Sequence, residues 1–246
     1  MISVSELVSY VENHLPDPSL SFESSATGSD VLTMIDRFLD NTRVPVCGSK
    51  MIIYVKRYPN ETEYSRIVAK MRQHHSYLSI IASIDSSGGS HPVTLYDLAS
   101  KTNGLCAFDN SSMLDNFYDE NVVYPYLMYA ANPQVLGNGS IQLSPLLIPK
   151  SEYYWFTMMQ DTAPITGEQT LMLTWYNDNE QWQMGSNGTY HCGASTGNHF
   201  VNWVYLNTSP YNVRLDYNYP DSEVRTVQIR VNQFYYAINY WIPYDD

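Results

Sequence analysis

The chain has 246 residues, with 13 Lys and Arg against 25 Asp and Glu, a formal net charge of −12 and a sequence pI near 4.7. This acidity, without a basic cluster, argues against nucleic acid and anionic membrane as partners, because both need a cationic footprint. No apolar stretch of the sequence approaches the length of a membrane span, so we expect no membrane insertion.

The first half of the sequence alternates strands with helices. Apolar residues at helical spacing predict helices at 4–15, 31–39, 63–73 and 92–100, with a partly helical stretch over 111–129. Apolar runs predict buried strands at 50–55, 77–84 and 105–108, after a short strand at 20–22. Strands alternating with helices of this length predict a parallel sheet covered on both faces, hence an α/β domain.

The second half has a different pattern. Asn-Pro and Gly-Asn-Gly in residues 132–140 indicate a linker, so we predict a first domain at 1–132, a linker at 133–144 and a second domain at 145–246. Short strands between Gly, Asn and Pro turns favour a β-sandwich, either CUB-like or immunoglobulin-like. The predicted strands are 153–159, 169–176, 199–206, 211–217, 224–231 and 235–242.

The candidate binding surface is the rim at the carboxyl ends of the parallel strands, because such sheets place their ligands there. Its residues follow the predicted strands or precede the helix at 31–39: Ser29, Asp30, Lys56, Arg57, Asp85 and Ser86. The sequence has no Gly-x-Ser-x-Gly elbow, phosphate loop or Gly-x-Gly-x-x-Gly, so we predict neither an enzyme nor a cofactor. Aromatic residues of the second domain, Trp203 and Tyr235 among them, either fill its core or stack on sugars and partner proteins.

The first 130 residues resemble a von Willebrand factor A domain, of the degenerate type found in nematode secreted proteins. Three segments give the resemblance: Thr27-Gly28-Ser29-Asp30-Val31, Lys50-Met51-Ile52-Ile53-Tyr54-Val55 and Leu95-Tyr96-Asp97-Leu98-Ala99-Ser100-Lys101-Thr102-Asn103-Gly104. The resemblance implies a parallel sheet that lacks its first strand, which we interpret as a fragment of a longer protein.

The resemblance also implies a metal-ion-dependent adhesion site, and this sequence departs from it. Ser29 stands where the family has Thr, Arg57 stands at an Asp position, and the Asp-x-Ser-x-Ser segment is absent. In another alignment Asp85 and Ser87 begin that segment, but its fifth position is Gly89. We therefore predict no metal site, with a rebuilt cation site at Ser29, Asp30 and Asp85 as the alternative.

Other features suggest an extracellular setting, with a leader outside this chain. Sequons for N-glycosylation occur at Asn60, Asn110, Asn138, Asn187 and Asn207. The three cysteines leave one unpaired in any scheme, and a bridge between Cys47 and Cys106 stays open.

These features favour a non-enzymatic extracellular binding or adhesion protein that recognises a protein or glycan without a metal ion. A metal-dependent adhesion module and a hydrolase with an unrecognised site are the alternatives. The sequence does not specify the oligomeric state.

Overall fold

The computed structural model describes residues 4–15, 17, 19, 21–109, 121, 123–160, 170–186, 199–235 and 241–244. The helices in these residues are α1 (Val4–Glu12), α2 (Val31–Leu39), α3 (Ser65–His74) and α4 (Val93–Ser100). The first seven strands are β1 (Lys50–Val55), β2 (Tyr77–Ala82), β3 (Leu105–Phe108), β4 (Tyr126–Ala131), β5 (Gln134–Val135), β6 (Asn138–Leu147) and β7 (Glu152–Gln160). The others are β8 (Thr170–Tyr176), β9 (Gln181–Gly185), β10 (His199–Leu206), β11 (Pro210–Asn218) and β12 (Arg225–Gln233).

The first part of the chain forms a parallel sheet with the order β1-β2-β3. Alternate residues of its strands, such as Leu78, Ile80 and Cys106, are buried in a core shared with α2, α3 and α4. The side chains on the opposite face of the sheet include Ile81 and Leu105, which pack against Met159 of β7. This sheet is therefore covered by helices on one face and by a second part of the molecule on the other.

The second part is a sandwich of two antiparallel sheets. One has the order β10-β7-β12-β4, with β5 also paired to β12, and the other has the order β6-β11-β8-β9. Inward-facing residues from both sheets, including Phe156, Trp175 and Leu215, form its core. The period-2 alternation along β7, β10 and β11 directs one set of side chains into this core and the other set outward.

The two parts are joined by buried hydrogen bonds as well as by apolar contacts. Gln228 of β12 accepts a bond from the Cys106 amide at 2.9 Å and donates to the Tyr96 carbonyl at 3.2 Å. The guanidinium of Arg230, only 1% exposed, donates to the Asn103 and Gly104 carbonyls at 2.7–3.1 Å. The outward face of the β10-β7-β12-β4 sheet is thus partly an interior surface.

The predicted fold class, an α/β von Willebrand factor A-like domain followed by a sandwich, is wrong. Nine of the twelve described strands lie in antiparallel sheets, and the parallel sheet contains three strands. The local alternation of strands and helices was read correctly, but it produces a small parallel unit attached to a dominant β-sandwich. The second, β-sandwich part of the prediction agrees with the structure.

The residues predicted as a linker, 133–144, contain β5 and most of β6. β4, predicted to be partly helical and assigned to the first domain, pairs with β12 of the sandwich. β6 is the edge strand of its sheet, and Pro145 lies at the register shift in its pairing with β11, a position where a strand tolerates proline. The Asn, Gly and Pro residues of β6 are typical of turns, but the strand pairs with β11 over its length.

No helix in the part of the chain that the structure describes is long and apolar enough to cross a membrane. Cys47 and Cys106 are free thiols, the first exposed and the second buried. Burial raises the pKa of the Cys106 thiol, so this group stays protonated. Cys192, and the sequon residues Asn110 and Asn187, lie outside the described residues, whereas Asn60, Asn138 and Asn207 are exposed.

Candidate functional site

The structure brings the loops of the predicted rim together. The amide of Ser29 donates to the Tyr58 carbonyl at 2.9 Å, and the Tyr58 amide donates to the Gly88 carbonyl at 2.9 Å. The Ser87 amide donates to the Lys56 carbonyl at 2.8 Å. Because the carboxyl ends of parallel strands meet at one edge of the sheet, the loops after β1 and β2 meet there as expected.

Several polar side chains of the rim form hydrogen bonds with the rim's own loops. Arg57 donates through Nη1 to the carbonyls of Ser24 and Thr27, at 3.0 and 2.6 Å, and its guanidinium lies over the ring of Phe22. The Ser86 hydroxyl donates to the Gly88 carbonyl at 2.6 Å. Arg57 and Ser86 therefore hold loops in place, which leaves Asp30 and Lys56 as the exposed charges of the rim that line the groove along β1.

Asp85 is also exposed, but neither it nor Ser86 is among the residues that line this groove. Within the described ranges, there is no group of three or more His, Cys, Asp or Glu side chains placed to hold a metal ion. The alternative of a rebuilt cation site at Ser29, Asp30 and Asp85 has no such group to support it in that part of the chain.

A second surface, which we call the aromatic face, lies on the outward side of the sandwich. It consists of five exposed aromatic side chains: Tyr153, Trp203, Tyr205, Phe234 and Tyr235. Tyr153 of β7 stands opposite Tyr205 of β10, and Trp203 stands opposite Trp155. The intervening residues, such as Tyr154 and Val204, point into the sandwich core, so the pleat of the two strands places the aromatic face outward.

The rings of the aromatic face hold one another in place. Tyr153 and Trp203 are stacked, with centroids 4.4 Å apart and 28° between the ring planes. Tyr205 meets Tyr153 edge-on at 5.2 Å, and Phe234 meets Tyr235 edge-on at 4.6 Å. Offset-stacked and edge-to-face pairs are the favoured geometries of aromatic rings. Tyr153 and Trp203 nevertheless remain 47% and 48% exposed, so a flat surface is pre-organised and accessible.

The aromatic face lines a pocket of about 490 Å³. Its other lining residues are Val123, Tyr124, Lys150, Ser151 and Glu152. The Lys150 Nζ lies 3.7 Å from Glu152 Oε2 and 5.6 Å from the centroid of the Tyr235 ring. Both carboxylate oxygens of Glu152 are buried without a hydrogen-bond partner, because the Lys150 ammonium lies beyond hydrogen-bond distance. The pocket therefore combines an apolar platform with an exposed cation, and a buried carboxylate lies beneath it.

Only part of this surface is predicted from the sequence. Trp203 and Tyr235 are predicted as either core or exposed residues, and the structure exposes both, whereas Trp175 is fully buried. Tyr153 and Tyr205 were not singled out. The available signal was that β7 and β10 carry large apolar or aromatic residues on both faces, which indicates that both faces of the sheet are covered or used.

Comparison with known proteins places a family match within the sandwich. Residues 131–234 match a family model described as a domain of unknown function, DUF7154. The matched segment begins at the last residue of β4 and ends just after β12, so it excludes the parallel sheet. A comparison with curated proteins gave no significant match.

Several solved structures share limited structural similarity with the chain. A carbohydrate-binding module (CBM6cm-2) of Cellvibrio mixtus lichenase 5A, solved with cellotriose, is 13% identical, with 46% of this chain and 93% of that chain covered and a TM-score of 0.27. The PRD1 vertex protein P5 is 14% identical, with coverage of 44% and 94% and a TM-score of 0.28. AlgX of Pseudomonas aeruginosa is 10% identical, with coverage of 76% and 48% and a TM-score of 0.33. At TM-scores of this size the similarity carries no inference about function.

Proposed function

We propose that the protein is a non-catalytic carbohydrate-binding protein whose ligand stacks on the aromatic face. The observation that carries this proposal is the stacked pair of Tyr153 and Trp203, which stays nearly half exposed inside a pocket. A pyranose ring presents a face of C–H groups that packs on an aromatic ring, while its hydroxyls point sideways to polar groups. Clustered exposed aromatic side chains of this kind mark interaction sites rather than ordinary surface.

The dimensions and polar groups of the pocket favour a sugar over a protein partner. A volume of about 490 Å³ falls in the range of small-molecule sites, roughly 300–1,000 Å³. Lys150 supplies an exposed donor, whereas the Ser151 hydroxyl is bonded to Thr208 and the Glu152 carboxylate is buried beneath the pocket, where it offsets the charge of Lys150. Because the charges of Lys150 and Glu152 offset each other, the favoured ligand is a neutral sugar.

The same pocket supports binding rather than hydrolysis. Glycoside hydrolases of the common type use two carboxylates on either side of the scissile bond. Among the described residues that line the pocket, Glu152 is the single carboxylate. These described residues can hold a glycan, and they supply one carboxylate where this acid–base pair needs two.

We place this binding protein outside the cell, as the sequons suggest. Asn60, Asn138 and Asn207 have exposed side chains, which is the condition for their glycosylation in a secretory pathway. An extracellular protein of this kind would act in adhesion to glycan-bearing surfaces.

The test is calorimetric titration of the full chain with neutral oligosaccharides of the cello, xylo and chito series. We expect saturable binding to at least one series and a Kd at least about tenfold weaker for Trp203→Ala, the equivalent of about 1.4 kcal/mol. The matched control is Trp241→Ala. Trp241 is likewise 48% exposed, but it stacks on His75 and lies outside the pocket.

Three results would contradict the proposal. The first is no saturable binding across the three series and a broader glycan array. The second is an equal loss of affinity in the Trp203 and Trp241 variants, which would point to a general effect on the fold. The third is release of new reducing ends from an oligosaccharide by the wild-type chain, which would make the protein a hydrolase.

A further inference from the structure

A groove of about 850 Å³ runs between α2 and the edge of the parallel sheet. Every residue from Lys50 to Arg57 lines one side of it, so the groove follows the whole length of β1. The opposite side is the apolar face of α2, with Val31, Met34, Ile35 and Phe38. Phe22 also lines the groove.

The groove leaves both backbone and apolar surface without cover. Among the described strands, β1 pairs with β2 alone, so the backbone groups of its other edge face the groove. Met34 and Ile52 are each 53% exposed. Uncovered strand edges and apolar patches are sites for another segment to dock.

α1 and the residues after it present exposed apolar side chains. Val8 and Val11 lie one turn apart on α1, Leu15 follows three residues after its end, and all three are exposed. None of them lines the groove. A helix of nine residues is marginal by itself in water, because most helical stability comes from packing an apolar face. α1 therefore needs a surface to pack against.

Charge and chain length both direct α1 to this groove. α1 carries Glu6 and Glu12 and no basic residue, whereas the groove is lined by Lys50, Lys56 and Arg57 against one carboxylate, that of Asp30. Residues 13–21 connect the end of α1 to Phe22, which is already at the groove. Nine residues can span up to roughly 30 Å, and a tether this short gives an effective concentration of millimolar order.

We infer that α1 docks into the groove along β1 through Val8 and Val11, together with Leu15 just after its end, as a strap of the same chain. The acidic side chains of α1 then lie near the basic border of the groove. A partner that adds a strand to the edge of β1, a common mode of peptide recognition, must first displace α1. This inference is independent of the glycan proposal, since the groove and the aromatic face lie on different sheets.

The experiment is disulfide trapping in the full chain, in a background where Cys47 and Cys192 are replaced by serine. Val11→Cys is combined with Met34→Cys, which places one thiol on the apolar face of α1 and the other in the groove. The matched control combines Ser9→Cys with Met34→Cys, because Ser9 lies on the opposite part of α1. We expect the Val11 pair to close within the monomer about tenfold faster than the Ser9 pair under mild oxidation.

Two outcomes overturn the inference. Equal closure rates for the two pairs would mean that α1 samples the groove without docking. A disulfide-linked dimer whose formation rises with protein concentration would assign the groove to a second copy.

Hydrogen exchange supplies a second readout that does not depend on thiol chemistry. We expect Val8→Asp combined with Val11→Asp to speed exchange of the β1 amides, since the aspartates keep α1 out of the groove. Both residues are exposed in the structure, so the variant keeps the fold. Unchanged β1 exchange would count against docking.

Discussion

At the scale of single residues, His199 and Gln228 show how differently two buried polar groups can behave on one sheet. Both face Met159 of β7, from β10 and β12 respectively. Gln228 has partners for its oxygen and its nitrogen, whereas neither ring nitrogen of His199 has a hydrogen-bond partner. Removing Gln228 therefore leaves the buried Cys106 amide unpaired, while the burial of His199 penalises its charged form.

His199 makes the stability of the fold sensitive to acid. Burial lowers the pKa of His199 from 6.5 to about 3. Because the unfolded chain binds this proton first, the contribution is fully present above pH 6.5 and is lost as the pH falls from 6.5 toward 3. We expect the free energy of unfolding to fall by up to about 1.4 kcal/mol per pH unit in this window because of His199.

Denaturant titrations from pH 7 to pH 4 on wild type and His199→Leu measure this contribution. We expect the leucine variant to be at least as stable as wild type at pH 7 and to lose less stability on acidification. His91→Leu is the control, because His91 is an exposed histidine. Identical acid slopes for wild type and His199→Leu would show that another group causes the loss.

The residues of the candidate site were only partly predictable. Four of the six rim residues follow predicted strands and two precede the helix at 31–39, and the structure brings their loops together. The sequence does not predict that rim side chains form hydrogen bonds with the rim's own loops. The bonds of Arg57 to Ser24 and Thr27 depend on the path of a loop that has no sequence signature. Likewise, the same strand periodicity fits exposed Trp203 and buried Trp175.

At the scale of elements, the predictions were best where apolar runs were long and bounded. The predicted strand at 50–55 coincides with β1, and those at 77–84 and 105–108 overlap β2 and β3. β4 was missed because Leu, Met and Ala in its sequence favour helix, and pairing with β12 overrides that preference. The predicted strand at 20–22 is absent from the described positions 21 and 22.

Gly104, just before β3, is required by the close approach of β3 to β2. A Cβ at this position would overlap the carbonyl oxygen of Leu78, and the Gly104 carbonyl also accepts bonds from Arg230. We expect Gly104→Ala to lower the free energy of unfolding by more than about 2 kcal/mol, because backbone atoms rather than a flexible side chain must move. Urea denaturation measures the change.

The control for this prediction is Gly137→Ala, which separates the effect of steric overlap from the effect of a left-handed backbone conformation. Gly137 has a φ of +61° but nothing within 4 Å of an added Cβ. Its replacement should cost only the left-handed conformation, about 1–2 kcal/mol. A smaller loss at Gly104 than at Gly137 would show that β2 and β3 separate at little cost.

At the scale of the whole molecule, the parallel unit and the sandwich share one buried junction. Composition and periodicity divide the sequence into an α/β half and a β half, but they carry no information on how the halves pack. The fold class was wrong for the same reason: the strands that enlarge the sandwich lie where the sequence indicates a linker and a helix. β4 and β5 form strands through long-range pairing with β12, which local sequence patterns do not report.

The junction predicts that the chain unfolds as one cooperative unit. Gln228 bonds the Cys106 amide, the Tyr96 carbonyl and the Ser100 hydroxyl, and the Tyr96 hydroxyl donates to the Met159 carbonyl at 3.0 Å. Calorimetry should therefore give one transition, with equal van't Hoff and calorimetric enthalpies.

Gln228→Ala tests whether these bonds are what couples the two parts. It leaves the buried Cys106 amide without its partner and opens a cavity in the junction, whereas the Ser100 hydroxyl still donates to the Tyr96 carbonyl at 2.8 Å. We therefore expect a loss of about 2–4 kcal/mol and a second transition as the parallel unit melts first. Gln142→Ala, on the exposed edge strand β6, removes one bond to the Val213 carbonyl and should cost at most about 1 kcal/mol with a single transition kept. Two transitions already in the wild-type chain would mean that the buried junction does not couple the parts, since a shared interior must be lost by both at once.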